Sequence, residues 1–346
     1  FFKLYRKIEE GTNPDAELTR FLSERKRFAN VPRFLSEMQY ARSGRKESAS
    51  ASLGLLVEFV PNEGDAWSYT ADFVERYFDR ILVGLEHAPE RPSGLPSLFD
   101  VDFESVPDWF VELADGFYLQ MIHLLGQRTG EMHLALSSET TDKDFEPEPF
   151  SRHYQRSVYQ SLRSLLRRVL ASVRRVGKRV EDEHLRADID RLLDKENTVL
   201  RHFARITGRR IEAKKVRVHG DYHLGQVLFT GRDFVIIDLE GEPARSLGER
   251  RLKYSAFRDV AGMIRSFHYA IYSRYLQYAE MRPEDAERLG QWIDAWYTYV
   301  SGVFLQGYMD TVRGTGFVPK EREDLETVLD VFLLEKAVYE VGYEIN

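Results

Sequence analysis

The chain has 346 residues, 43% hydrophobic and 30% charged, with a formal net charge of −7 and no cysteine. That length accommodates one large or two-lobed domain with a sizeable core. The lack of cysteine excludes disulfides, thiol nucleophiles and thiolate metal sites, and it predicts a reducing, cytoplasmic setting. The acidic balance argues against nucleic acid as a main partner. No apolar run reaches the roughly 18 residues a membrane helix needs, and no secretory signal opens the chain, so no membrane role is expected.

The chain begins without methionine on Phe1-Phe2-Lys3-Leu4-Tyr5, which reads as mid-strand and predicts a piece of a longer protein. A strand over 1–7 is followed by a helix opened by Asn13-Pro14-Asp15, where Asn can cap, Pro suits the first helical position and acids favour the first turn. Two strands, 35–41 and 53–60, flank a polar turn at 43–52. Beyond Pro61 the pattern is helical: 67–86, 107–127, 150–176, 181–207, 258–280, 286–309 and 320–343. The basic run from Arg152 to Arg179 reads as a solvated helix face, diluted by Glu181, Asp182 and Glu183.

One β-rich patch interrupts the helices. After His219-Gly220-Asp221-Tyr222-His223-Leu224-Gly225-Gln226 come two apolar runs around Gly231-Arg232-Asp233, and then Asp238-Leu239-Glu240-Gly241-Glu242-Pro243. Two apolar runs around a short Gly-containing turn predict a hairpin. If Thr230 pairs with Phe234, Gln226 falls opposite Asp238, with Cβ atoms about 5 Å apart. A carboxylate and a side-chain carbonyl at the open end of the hairpin suit Mg²⁺. Asp221 sits in the loop over the same end. A free carboxylate beside a metal site is what phosphoryl transfer to an alcohol needs; a hairpin with merely polar ends is the plain alternative.

The string HGDYHLGQVL…IDLEGEP resembles the catalytic loop and metal motif of aminoglycoside-phosphotransferase-like kinases. More narrowly, it is similar to the bacterial maltokinases, which are often fused or linked to trehalose synthase. The stretches Phe59–Trp67, Leu125–Arg128, Arg258–Met263 and Glu335–Glu340 carry the narrower resemblance. It implies an α+β, two-lobed protein-kinase-like fold. Residues 1–61 would be what remains of a small mixed N-lobe, and 62–346 a large, mostly helical C-lobe. The strands and phosphate-covering loop that precede the nucleotide lysine in such kinases do not occur in this sequence.

The resemblance also implies roles. Asp221 would be the catalytic base, Gln226 and Asp238 the Mg²⁺ ligands, and Glu240 a supporting carboxylate. His219 and Asp259 would brace the loop. Lys3 would hold ATP phosphates and pair with Glu17, and backbone groups of Glu58 and Val60 would meet adenine. From the residues alone, a strand lysine and a helix glutamate are ordinary features. The relatives often carry Asn where this chain has Gln226, which keeps the carbonyl but adds a methylene.

The last helix places Leu329, Phe332, Lys336, Tyr339 and Tyr343 on one face. A lysine in that row either snorkels or pairs, or it hydrogen-bonds a sugar that stacks on the tyrosines. The resemblance favours the second, with Lys336, Tyr339 and Tyr343 in a maltose pocket. The expected activity is formation of maltose 1-phosphate from ATP and maltose, in α-glucan synthesis. Alternatives are another small sugar such as glucosamine, an aminoglycoside (which would call for a more acidic pocket), or a non-catalytic kinase-like module associated with trehalose synthase.

Overall fold

The computed structural model describes residues 1–41, 50–84, 92–139 and 141–345. The chain opens with strand β1 (Phe2–Leu4) and helix α1 (Pro14–Arg20), whose last turn widens into a π turn over Phe21–Arg25. Asn13 caps α1 by accepting the Asp15 N–H at 2.9 Å, as its sequence position predicts. Strands β2 (Phe34–Ala41) and β3 (Ser50–Val57) complete an antiparallel sheet in the order β1-β3-β2. Most of the expected 43–52 turn lies outside the described residues.

The sheet closes a small core of Tyr5, Ala16, Phe34, Leu55 and Val57. Helix α1 serves two cores at once: Ala16 faces the sheet, while Leu18, Phe21 and Leu22 belong to the larger core of the helical body.

That body follows as α2 (Ala66–Val83), α3 (Asp108–Ala114), α4 (Gly116–Ser137), β4 (Glu148–Pro149), α5 (Arg152–Gly177), α6 (Glu183–Asp194) and α7 (Glu196–Ala204). Next come β5 (Lys214–Lys215), the hairpin β6 (Val227–Phe229) and β7 (Phe234–Ile236), then α8 (Leu247–Arg250), α9 (Phe257–Met281), α10 (Pro283–Gly290), α11 (Ile293–Val312) and α12 (Arg322–Glu344). Among the described residues, no helix is long and apolar enough to cross a membrane.

Three expected helices are each two. The break inside 107–127 falls at Asp115, whose φ is 76° and whose side chain caps α4 by accepting the Phe117 N–H at 3.0 Å. Ala-Asp-Gly at that point is a turn signal inside an apolar periodicity. The 181–207 stretch divides at Lys195, and Pro283 opens a separate short helix before α11.

The centre of the body is the α4–α11 pair. Gly126 faces the backbone of Phe304, and Gly307 faces the backbone of His123, each so closely that a Cβ would clash. Trp296, Tyr118, Tyr77 and Phe110 are buried around this seam. Each such side chain contributes on the order of 1.5–3 kcal/mol on burial. Helices α9 and α12 run along one flank, tied by Arg258–Glu335 and Arg265–Glu340, both 2.6 Å.

Candidate active site

The loop His219–Gln226 is held from below by a buried carboxylate. Asp259, in the first turn of α9, accepts the N–H groups of His219 (2.7 Å) and Gly220 (2.9 Å) and contacts His133 Nε2 at 3.0 Å. Burial opposes its charge, yet the hydrogen bond and charge of His133, with His219 and the Gly220 N–H, hold the carboxyl below its ordinary value. His219 Nε2 lies 2.9 Å from the Ile237 carbonyl, so it donates there, and Nδ1 faces the Asp221 N–H at 3.4 Å. Two residues thus tie the loop to α9 and to the hairpin.

The loop also needs a glycine beneath it. A Cβ on Gly262 would lie 2.5 Å from the Tyr222 carbonyl oxygen. Gly262→Ala should therefore cost about 1–3 kcal/mol, as overpacking does. A denaturant midpoint equal to wild type would show that the loop shifts freely.

The hairpin register differs from the expected one. Phe229 pairs with Phe234, and Thr230 N–H reaches the Asp233 carbonyl at 2.9 Å. The turn is therefore Gly231-Arg232, two residues rather than three, with Gly231 at φ 85° in the glycine-first hairpin pattern. Gln226 consequently faces Ile237, whose N–H donates to the Gln226 carbonyl at 3.0 Å, and not Asp238. Asp233 is taken up at the tip: Arg128 grips it with two bonds of 2.9 Å. This accounts for the early Leu125–Arg128 motif in terms of hairpin support.

Beyond the hairpin, Asp238 adopts φ 62°, and its carboxylate contacts Lys3 Nζ. Lys3 also reaches Asp15 at 2.8 Å and Glu240 at 3.4 Å. Burial works against the ammonium, but the Asp15 and Asp238 carboxylates hold its pKa above the ordinary lysine value. Burial raises the pKa of Asp15, and burial with the neighbouring Asp238 and Asp15 raises that of Glu240. Three carboxylates around one ammonium leave excess negative charge, and Asp238 and Glu240 offer hard oxygens beside it. That donor set fits Mg²⁺ completed by phosphate oxygens. Among the described residues no three acidic or histidine side chains make a metal cluster by themselves.

The expected Lys3–Glu17 pair is replaced. Glu17 instead binds Arg217 (2.7 Å) and Arg251 (2.6 Å). Asp15 and Glu17 are both acids of one helical turn, but two residues apart they point about 160° away from each other around the helix. Helix rotation, which composition does not report, decides which one meets the lysine.

Across the loop from α12, Lys336 Nζ is 3.6 Å from Asp221 Oδ1 and 5.1 Å from the centre of the Tyr339 ring. Burial and the Glu242 carboxylate push the Tyr339 hydroxyl up to about 12. Tyr343, one turn further, is 73% exposed. His223, which the sequence presents only as a member of the 219–226 string, also enters this cluster. Its Nδ1 accepts the Gly225 N–H at 3.1 Å, and burial lowers its pKa amid Asp221, Lys336, His219 and Asp238.

The Glu58 N–H is spent on the Arg33 carbonyl at 2.9 Å, and the Val60 carbonyl accepts Asn62 Nδ2 at 2.9 Å. Among the described residues the Glu58 carbonyl and Val60 N–H have no hydrogen-bond partner, and they lie beside a recess of about 380 Å³ lined by Phe28, Val31, Phe59 and Val235. A larger cavity of about 600 Å³ lies at the other end of α12, against Arg322 and Leu325; Lys336 is about three turns away along that helix.

No protein-family model matches the chain. The glucosamine kinase of Mycolicibacterium smegmatis is 39% identical over 75 residues, which make up 21% of this chain and 19% of that kinase. Over its whole length the chain resembles solved glucosamine kinase structures. Crystal form B aligns with a TM-score of 0.69 and 20% identity, covering 99% of this chain and 68% of that one. A complex with glucosamine, ADP and inorganic phosphate aligns at 0.68 and 20%, covering 99% and 67%. The chain thus has the fold of these structures and spans about two thirds of their length.

Proposed function

We propose that this chain forms the body of an ATP-dependent sugar kinase. It would consist of a smaller nucleotide-side lobe at 1–61 and a larger acceptor-side lobe at 62–346. The observation that carries the reading is the convergence of two charge pairs from distant parts of the chain, Lys3 with Asp238 and Lys336 with Asp221. In the reaction, the acceptor hydroxyl oxygen bonds to the γ-phosphorus as the bond to the ADP oxygen breaks, and Asp221 takes the hydroxyl proton. Lys3 holds phosphate oxygens, and the Glu58 carbonyl and Val60 N–H address the adenine edge. Asp238 and Gln226 would hold Mg²⁺, which when bound neutralises charge on the phosphates.

Glucosamine is the first acceptor to test, supported by the fold and by the 75-residue relative. A second reading, maltose, is favoured by Lys336. An ammonium 3.6 Å from Asp221 repels the ammonium of an amino sugar, whereas neutral hydroxyls accept its hydrogen bonds. Lys336→Ala should then raise KM for the sugar about tenfold and leave KM for ATP nearly unchanged. A change in the ATP constant alone would remove Lys336 from the acceptor site.

Phosphorus NMR with ATP, Mg²⁺ and glucosamine, maltose, glucose or trehalose in separate tubes decides between the acceptors. A sugar-phosphate signal from any of them, lost in Asp221→Asn, supports the kinase. Nucleotide binding without any product points to an untested acceptor, and no nucleotide binding to a non-catalytic module, such as one associated with trehalose synthase.

A further inference from the structure

The cavity of about 600 Å³ at the far end of α12 contains none of the residues assigned to the kinase centre. Its volume falls within the roughly 300–1,000 Å³ of small-molecule sites. The turn Leu98–Asp100, the end of α11 and the segment 313–320 that joins α11 to α12 form its walls. Leu98, Met309, Val318 and Pro319 make one side apolar. Leu325 at its edge is about 16 Å along α12 from Lys336, at 1.5 Å per residue. A ligand here and one beside Asp221 can therefore be bound together.

The charged groups of the cavity are unevenly paired. Arg322 meets Asp100 at 2.9 Å and lies over the Phe99 ring, 5.0 Å from its centre. Asp102 accepts Ser105 Oγ at 3.0 Å and Gln306 Nε2 at 3.1 Å. Asp310 has His123 alone, at 3.8 Å. The exposed side chains of Arg313 and Lys320 have no hydrogen bond or ion pair among the described residues. What is left uncommitted is two cations and one loosely held carboxylate beside an apolar wall. Two cations match a phosphomonoester, which carries a charge of about −1.5 to −2 at neutral pH, and a guanidinium takes its oxygens in a fork. A carboxylate accepts hydroxyl hydrogens, and an apolar wall covers the carbon face of a ring.

We propose that this cavity is a second, non-catalytic site for a phosphorylated sugar, with the phosphate on Arg313 and Lys320, a hydroxyl on Asp310 and the ring against Met309 and Val318. The proposed kinase makes a compound of this class, so the site would take the product of its own reaction. That link rests on the kinase reading; the site itself does not.

The probe is glucose 6-phosphate, titrated into the whole chain at low ionic strength, where exposed charges are least screened. Methyl NMR reads place and affinity together, through Met309, Val318 and Leu325 in the cavity and Leu224 in the 219–226 loop. The three cavity methyls should shift and saturate, whether or not Leu224 moves as well. Glucose without phosphate should bind there at least tenfold more weakly. Arg313→Ala and Lys320→Ala should each weaken the cavity affinity about tenfold; both side chains are exposed, so neither change disturbs the core. Arg167→Ala, an exposed arginine of α5, should leave it unchanged. Shifts at Leu224 alone, no shift at all, or unchanged affinity in both cavity variants overturns the proposal. Inorganic phosphate binding as tightly as glucose 6-phosphate reduces the cavity to an anion site and overturns the sugar assignment. If wild type binds no ADP, the kinase reading fails while the cavity methyls still judge this site.

Discussion

Asp221→Asn should lower kcat by about 10²–10⁴-fold and leave ATP affinity within about twofold, the usual worth of a well-placed general base. The asymmetry follows from geometry. Asp221 stands on a loop pinned by Asp259 and His219 and faces Lys336 on α12, whereas Lys3, the proposed phosphate-binding lysine, is held separately by Asp15 and Asp238. A thousandfold loss corresponds to about 4 kcal/mol of transition-state stabilisation. Asparagine preserves shape, so the circular dichroism spectrum should be unchanged. Turnover equal to wild type would remove Asp221 from the chemistry.

Glu17→Ala should do the opposite, costing about 3–5 kcal/mol of stability in urea denaturation. Arg217 is 1% exposed and meets Glu17 at 2.7 Å; Arg251 adds bonds of 2.6 and 3.1 Å to the same carboxylate. Removing the carboxylate leaves a guanidinium buried without a counter-charge, a large share of the 5–15 kcal/mol typical of a whole domain. Acid should reproduce part of this. Burial would raise the Glu17 pKa, but Arg251 and Arg217 hold it below the ordinary 4.5. Its contribution is therefore complete above 4.5 and is lost as pH falls through the lower folded value. Glu17→Gln should be flat across that window. A loss under 1 kcal/mol in Glu17→Ala would mean that the arginine finds water or another acceptor.

Much of this architecture is legible in the chain because local chemistry and tertiary role agree. Asn13-Pro14 marks the start of α1, alternating apolar runs around Gly231 mark the hairpin, and the 3.6-residue periodicity of α12 puts Lys336 and Tyr339 on one face. What is not legible depends on rotations and one-residue choices. Turn length sets whether Gln226 or its neighbour opposes Asp238, and a slip of one is invisible when Thr230 and Asp233 both suit a turn. The choice between Asp15 and Glu17 depends on how α1 is rolled against two cores. Asp115 hides a helix boundary within a stretch whose apolar spacing barely changes.

The glycine contact between α4 and α11 bears on how this protein could change its substrate. With two backbones touching at Gly126 and Gly307, no side chain can be enlarged between them and neither helix can slide without collision. Adaptation to a larger or smaller acceptor is thereby steered away from the centre of the body. It would have to come from exposed positions away from that seam, such as Tyr343, which is 73% exposed.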